Sequence, residues 1–322
     1  MRQTSWTIGP GSPHTLAGVI SPEPEAAGSL RCVVVVSFLN EAKVLPTFLA
    51  SLEAQTRRPD RLILSNDGST DASVTQAEDF AARHEWATVL HRPPRDPGAD
   101  RLVGAPEFAA FLWATEQIDE PWDVVVKMDA DLELAPSHFD AVLRAFEQEP
   151  RLGMAGTHLY ALQPDGTLVL ERHPEDHVRG PTRFFRRECF EAIQPIPQIL
   201  GWDGADEVRA RARSWRTRSI HLEDGERSVH LRPTGSHDGR LRAYARWGLC
   251  SYSVGTHPVG VLSGAALRVR EQPRVLGGLA YAWGWARAAL QGAPRMPIDI
   301  RAARRREDRL RMRRAARRVF FA

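Results

Sequence analysis

Only two of the 322 residues are lysine, Lys43 and Lys127, and only three are cysteine, Cys32, Cys189 and Cys250. No two cysteines form a CxxC pair and one lies inside an apolar run, so a disulfide framework and a structural zinc site are both unexpected. A reducing compartment suits this usage better. The first 30 residues lack an apolar core of signal-peptide length, and no run reaches the roughly 20 apolar residues that span a bilayer. The chain therefore reads as cytoplasmic. With lysine so scarce, its basic character is arginine: residues 301–322 carry ten arginines against Glu307 and Asp308, or +10 − 2 = +8. Since the whole chain is +3, everything before that tail sums to 3 − 8 = −5.

What is abundant is apolar residue. At 43% hydrophobic and 26% charged, the chain suits one large or two small domains with an ample core, and disorder throughout is excluded. Residues 1–30, rich in Pro, Gly and Ser, show no apolar periodicity and read as a flexible leader. From Arg31 the pattern alternates. Cys32 to Val36 is a β-branched run, and Leu45, Phe48, Leu49 and Leu52 recur at helical spacing. A strand at Leu62-Ile63-Leu64 precedes a turn at 66–69 and a helix opened by Thr70-Asp71, with Val74, Ala77, Phe80 and Ala81 on one face. A strand at Thr88 to His91, a helix with Phe108, Phe111 and Leu112, and a strand from Val124 ending at Asp129 follow. This alternation predicts an α/β fold with a mainly parallel sheet and helices on both faces, whose ligands lie at the carboxyl ends of the strands. Beyond it come a hairpin around Pro164-Asp165-Gly166, a short helix near Gly204, and an arginine- and aromatic-rich C-terminal region. There are no internal repeats.

Three polar clusters fall at predicted strand ends: Ser37 to Glu41, Asn66-Asp67-Gly68, and Asp129-Ala130-Asp131. Two carboxylates one residue apart after a strand can converge on one hard cation and leave positions open for phosphate oxygens. Lys127 is the one cation near enough in sequence to neutralise them. Such a DxD pair is weak on its own, because capping aspartates are common, and Asp67 and Asp71 also suit turn and helix caps.

Four blocks together resemble a family 2 glycosyltransferase: Val33 to Ala42, Ser51-Leu52-Glu53-Ala54-Gln55-Thr56, Ser65 to Asp71, and Met128 to Asp131, matching in order and spacing over residues 31–160. The resemblance implies the GT-A fold, an inverting transfer, a nucleotide-diphosphate sugar donor expected to be UDP-linked, and Mg²⁺ or Mn²⁺. It places Ser37 and Asp67 at the nucleoside, with Asn40 and Glu41 at the same rim. Asp131 becomes the main metal ligand, with Asp129 near ribose or metal. Asp131-Leu132-Glu133 is also similar to the Asp-Leu-Gln of polyprenyl-phosphate sugar synthases, which makes Glu133 a secondary metal candidate. Two positions depart from the family pattern, Asn66 for its first Asp and Glu107-Phe108 for its Arg-Asn. Arg101 is the substitute expected at a donor phosphate.

Inverting transfer needs one general base on the acceptor hydroxyl, and a carboxylate is the usual choice. Gly201-Trp202-Asp203-Gly204-Ala205-Asp206-Glu207 resembles a stretch of bacterial family members acting in polysaccharide assembly, and stands where the family has its Glu-Asp pair. Asp206 is the favoured base, then Glu207, then Asp203, against the bland alternative of acids placed in a helix's first turn. His177 to Gly180 with Arg186 to Phe190 looks like the acceptor-side segment, where Arg179 suits an acidic or phosphorylated substrate. Val229 to His237 also resembles these enzymes, offering His230, Arg232 or His237 to diphosphate or metal, although a lone His is more often structural.

The expected layout is a catalytic domain over 31–245, with a nucleotide-sugar half 31–135 and an acceptor half 136–245, then a basic helical region 246–322. Val275 to Ala286, with Trp283 and Trp285, is too short to span a membrane but suits its interface beside the arginine-rich tail. A packed helix with a solvated face is the competing reading. The expected partners are a nucleotide sugar, a glycan or lipid-linked acceptor and an anionic membrane surface. A nucleic acid is not expected, since the body is net acidic. Other functions fit less well. A hydrolase of the haloacid dehalogenase class calls for Thr or Val where Glu133 stands, and a nucleotidyltransferase calls for a glycine-rich loop where Ser37-Phe38-Leu39-Asn40 stands. The polyprenyl-phosphate sugar synthase differs only in acceptor.

Overall fold

The computed structural model describes residues 29–93, 104–223, 225–232, 239–269 and 273–320, with side chains described to residue 313. Its elements begin as the periodicities require: β1 (Cys32–Phe38), α1 (Leu45–Glu53), β2 (Arg61–Asn66), α2 (Ser73–Arg83), β3 (Ala87–His91), α3 (Pro106–Thr115) and β4 (Val124–Asp129). Then come β5 (Leu132–Glu133), α4 (His138–Gln148), β6 (Leu152–Thr157), β7 (Leu159–Leu162), β8 (Leu168–Leu170), β9 (Thr182–Arg186), α5 (Arg187–Ala192), α6 (Trp202–Ala212), β10 (Arg216–Ile220) and β11 (Ser228–His230). Four helices close the chain: α7 (Arg240–Ser253), α8 (Pro258–Arg268), α9 (Leu276–Leu290) and α10 (Ile298–Phe320).

A seven-stranded sheet in the order β10-β6-β9-β4-β1-β2-β3 forms the centre. All its pairings are parallel except those of β9, which runs antiparallel to both β4 and β6. A fully buried sheet needs apolar side chains on both faces, and β1 and β4 supply them. Val34 and Val36 pack with Phe48, Leu52 and Phe139 in one core cluster, while Val33, Val35 and Val125 pack with Phe108, Phe111 and Phe185 in another. A smaller sheet, β5-β11-β7-β8, stands beside Asp131; β7 and β8 are the hairpin expected around Asp165.

Two expected helix starts shift. The helix after the 66–69 turn begins at Ser73, because Asp71 accepts hydrogen bonds from the Ser73 N–H and hydroxyl and so occupies the entry turn. The helix near Gly204 begins at Trp202, whose ring stacks on Phe108 at 3.7 Å and so draws the chain into the helix early. The division expected at 245/246 falls inside α7. Val254, Met296 and Ile300 of the helical region pack with Ala205 and Val208 of α6.

Candidate active site

Parallel register brings three sequence-distant clusters to one rim. Ser37 pairs with Ser65 on one side and Asp129 on the other, and Phe38 pairs with Asn66, so β1, β2 and β4 end together. Neither the Ser37 nor the Ser65 hydroxyl meets a partner among the described residues, although both oxygens are buried. Buried hydroxyls are normally satisfied, so this pair marks a place suited to a polar ligand edge. Asp67 is held beside them by Arg92, Nη1 to Oδ1 at 3.1 Å.

The loop after β1 is stapled to the turn after β2. Asn40 Oδ1 accepts from the Thr70 N–H at 2.8 Å, and the Asn40 N–H donates to Ser69 Oγ at 3.0 Å. Glu41 N–H donates to Ser73 Oγ and Ala42 N–H to Asp71. Asn40 adopts φ 58°, the left-handed conformation that Asn tolerates better than most side chains. Asn40 and Asp71 thus shape the rim, while Glu41 carries a carboxylate into it.

The two DxD carboxylates have different partners. Lys127 pairs with Asp129 alone. Asp131 draws its counter-charges from 100 residues downstream, with Arg232 Nε at 3.0 Å and His230 Nε2 at 3.5 Å. Arg232 also reaches Glu41 at 2.7 Å, bridging the two acids. Behind it His230 Nδ1 lies 3.4 Å from Glu171, which in turn accepts from Arg179 at 2.6 Å. Burial raises the pKa of Glu41 despite Arg232. For Asp131 burial also works upward, but His230 and Arg232 outweigh it and the net shift is down. His230 is driven the other way: burial is overcome by its contacts with Asp131 and Glu171, and its pKa rises to about 9.

These groups fit a hard divalent cation. Asp131 offers a largely ionised carboxylate whose present counter-charges, His230 and Arg232, an ion would replace. No cluster of three potential ligands is gathered among the described residues. Glu133, by contrast, is exposed on β5 and borders a separate cavity with Pro136, Leu162 and Arg227. Arg101 and His237 lie outside the described residues.

On α6 the acidic group is closed. Arg183 of β9, fully buried, donates from Nη1 to both oxygens of Asp206 at 2.5 and 2.6 Å, and from Nη2 to Glu207 at 3.0 Å. Glu207 also accepts from the Val178 N–H at 2.7 Å and meets His177 at 3.0 Å and Arg211 at 3.4 Å. Burial pushes the Asp206 carboxyl up to about 6 against the pull of Arg183. Asp203, one turn earlier, is only half-buried and borders a cavity of about 310 Å³ with His177, Glu207 and Arg211. Trp202 links the two rims, with Lys127 Nζ 5.7 Å and Arg183 Cζ 5.3 Å from its ring centre.

Comparison with known proteins decides the family. The model of the family described as Glycosyl transferase family 2 matches residues 33–197, just over half of the chain. The protein belongs to that family. This family 2 glycosyltransferase is 26% identical over 284 residues to the O-antigen biosynthesis protein RfbC of Myxococcus xanthus, covering 72% of this chain and 21% of that one. It is 29% identical over 178 residues to the N-acetylglucosaminyl-diphospho-decaprenol L-rhamnosyltransferase of Mycobacterium tuberculosis, covering 49% of this chain and 54% of the other. The chain thus spans about a fifth and about half of these curated relatives. Among solved structures, S. aureus TarS 1–349 with UDP-GlcNAc aligns with TM-score 0.53 at 16% identity, over 87% of this chain and 90% of that one. The mannosyltransferase PcManGT of Pyrobaculum calidifontis, solved with GDP-Man and Mn²⁺, aligns with TM-score 0.51 at 18% identity, over 83% and 75%. At these identities the likeness is one of fold, and the fold of this glycosyltransferase is GT-A.

Three residues at the glycosyltransferase rim carry more weight in space than in sequence. His230 and Arg232 stand two apart, at the end and just beyond β11, and this spacing puts both side chains on one side of an extended segment. Glu171 follows the short strand β8 and its sequence setting carries no motif; only the fold brings it to His230.

Proposed function

We propose that this glycosyltransferase takes a nucleotide-diphosphate sugar, UDP-linked as the first choice, and transfers the sugar with inversion to a hydroxyl of a growing cell-surface glycan. The observation that carries this reading is the convergence of Ser37, Asp67 and Asp129 at three adjacent strand ends, with Asp131 beside them between Arg232 and His230. The nucleoside lies against the unpartnered Ser37 hydroxyl and Asp67. Asp131 and Asp129 would hold a Mg²⁺ or Mn²⁺ ion, which would supply positive charge to the leaving diphosphate. Arg232, which already holds two acids, has the fork and charge to meet the same diphosphate. The neighbours solved with UDP-GlcNAc, and with GDP-Man and Mn²⁺, support a nucleotide-sugar donor. The names of RfbC and of the rhamnosyltransferase support an acceptor in polysaccharide assembly, with a lipid diphosphate carrier as one form.

The base is drawn from the acidic turn of α6. A general base must reach the acceptor proton directly or through one water. Both oxygens of Asp206 are spent on Arg183, and its side chain is fully buried. Asp203 is only partly buried, which favours it as the accessible acid of the turn, while Asp206 and Glu207 pair with Arg183. In the transfer, Asp203 takes the acceptor hydroxyl's proton as that oxygen bonds to the anomeric carbon, and the diphosphate leaves with the electron pair of the broken bond.

Thermal melting with a panel of nucleotide sugars tests the donor reading, because a ligand that binds the native state raises the midpoint with its affinity. A UDP-sugar with Mn²⁺ is expected to raise it, EDTA to abolish the rise, and Asp131→Ala to abolish the metal-dependent part. Full metal-dependent stabilisation in Asp131→Ala would refute the metal assignment.

A further inference from the structure

Apolar side chains are distributed in opposite ways in the α/β body and in the C-terminal helices. Of the large hydrophobic residues exposed to solvent, Val169 is the single one that precedes α7 among the described residues. The rest lie from Leu241 onward. On α9 the inner face is Gly277, Gly278, Tyr281, Gly284 and Ala288, all buried, and a Cβ on Gly284 would fall 1.9 Å from the Ala245 carbonyl oxygen of α7. Its outer face is Leu276, Leu279, Trp283, Arg287 and Leu290, spaced 3, 4, 4 and 3 residues apart and all exposed, with Trp283 at 61% and Leu290 at 83%. Apart from Tyr281 the buried face is made of small residues, while large apolar side chains line the face turned to solvent.

Helix α8 repeats the arrangement. Val259, Leu262, Ser263, Ala266 and Leu267 share its outer face at helical spacing, with Leu262 at 67% and Leu267 at 68% exposure, while Val261 packs inward against Tyr244 and Tyr281. Because α8 meets α9 through Gly264 and Ala265, against Tyr281 and Gly278, its outer stripe points away from α9, and the α9 stripe stands as a surface of its own.

Charge identifies the occupant. Helices α7, α8 and α9 contain five arginines, Arg240, Arg242, Arg246, Arg268 and Arg287, and no Asp or Glu. Exposed Arg274 stands at the start of the α9 stripe. The acids of α10 look toward other groups of the chain: Asp299 pairs with Arg209, Glu307 with Arg211, and Asp308 with Arg304. A second copy of the chain would bring cation against cation. An anionic lipid headgroup layer over an apolar interior meets both features, as basic amphipathic helices do at membrane surfaces. No helix among the described residues is long and apolar enough to cross a bilayer, so the contact would lie in the interface plane.

We propose that the outer face of α9, with Leu276, Leu279, Trp283 and Leu290 as its apolar anchors and Arg274 and Arg287 as its cations, docks the protein on an anionic phospholipid surface. This assignment stands independently of donor and acceptor. Flotation of the full chain with phosphatidylcholine vesicles, with and without phosphatidylglycerol, tests it. The wild type is expected to float with the phosphatidylglycerol vesicles. The triple variant Leu279→Ser, Trp283→Ser, Leu290→Ser is expected to partition about 100-fold less, since three apolar side chains at about 1 kcal/mol each amount to roughly two factors of ten. Arg274→Gln with Arg287→Gln is expected to lose the preference for phosphatidylglycerol while keeping the wild-type melting temperature, and it decides the matter should the triple variant not fold. Equal flotation of wild type and both variants, or none by the wild type, overturns the proposal. So does a concentration-dependent dimer, abolished by the triple variant, in a protein that does not float.

Discussion

Two pairs of neighbouring acids define the site, and they live under opposite conditions. Asp129 and Asp131, beyond β4, have side chains 32% and 12% exposed, and each leans on a cation at the rim. Asp206 and Glu207, in α6, are 0% and 4% exposed and share the fully buried Arg183. Similar carboxylates therefore do different work. At the rim, Arg232 is 37% exposed and can turn from Asp131 to a ligand, whereas Lys127 is buried and pairs with Asp129. Around Arg183, desolvation makes the charges mutually dependent, so neither carboxylate can lose its partner cheaply.

The contrast breaks most easily at Arg183. Arg183→Met leaves two carboxylates buried without their main partner and is expected to cost about 3–5 kcal/mol in urea denaturation. A loss under about 1 kcal/mol would erase the distinction between the two pairs.

Within α6 the same division is expected between neighbouring acids. Asp203→Asn should lower kcat by roughly 100-fold or more and leave stability within about 0.5 kcal/mol of wild type. Asp206→Asn should instead cost about 2 kcal/mol of stability by weakening the buried pair. If Asp206→Asn melts like wild type yet loses kcat selectively, the base assignment moves back to Asp206.

Acid titration sharpens the picture further. Burial alone would raise the Glu207 pKa, but His177 and Arg183 outweigh it and bring it down to about 2. A carboxyl depressed in the folded state contributes stability above its ordinary value of 4.5 and loses it as pH falls from there toward 2. Glu207→Gln should therefore show a flatter stability profile than wild type over that window, by denaturation at stepped pH. Identical acid limbs would show that Glu207 is not held ionised.

The smallest effect is expected at the rim loop. Asn40→Ala removes the acceptor for the Thr70 N–H and places a less tolerant residue at positive φ, for about 1 kcal/mol. Nucleotide-dependent stabilisation should weaken with it, since the loop carries Glu41. Unchanged melting with and without nucleotide would leave Asn40 without the shaping role.

Much of the donor half was legible because its signals are local. The runs at Val33 to Val36 and Val124 to Val126 and the helical spacing of Leu45, Phe48 and Leu52 depend on near neighbours in sequence, and strand ends then locate Ser37, Asp67 and Asp129 without further information. Strand β9 was not legible. Thr182-Arg183-Phe184-Phe185-Arg186 carries arginines that suggest a surface, and nothing nearby shows that Arg183 is neutralised by acids 23 and 24 residues on.

By itself, the sequence determined the parallel α/β frame, the acidic turn after β4, the acidic opening of α6 and the inverted charge of the C-terminal tail, because each is written in contiguous periodicity or composition. Tertiary structure alone decided which carboxylates are open. Asp131 meets His230 and Arg232 only because β11 pairs with β5 and β7, and Asp206 is closed only because the antiparallel β9 delivers Arg183 beneath α6. Solvation and counter-charge are properties of three-dimensional neighbours, and they set whether an acid supports the fold or stands ready for a ligand.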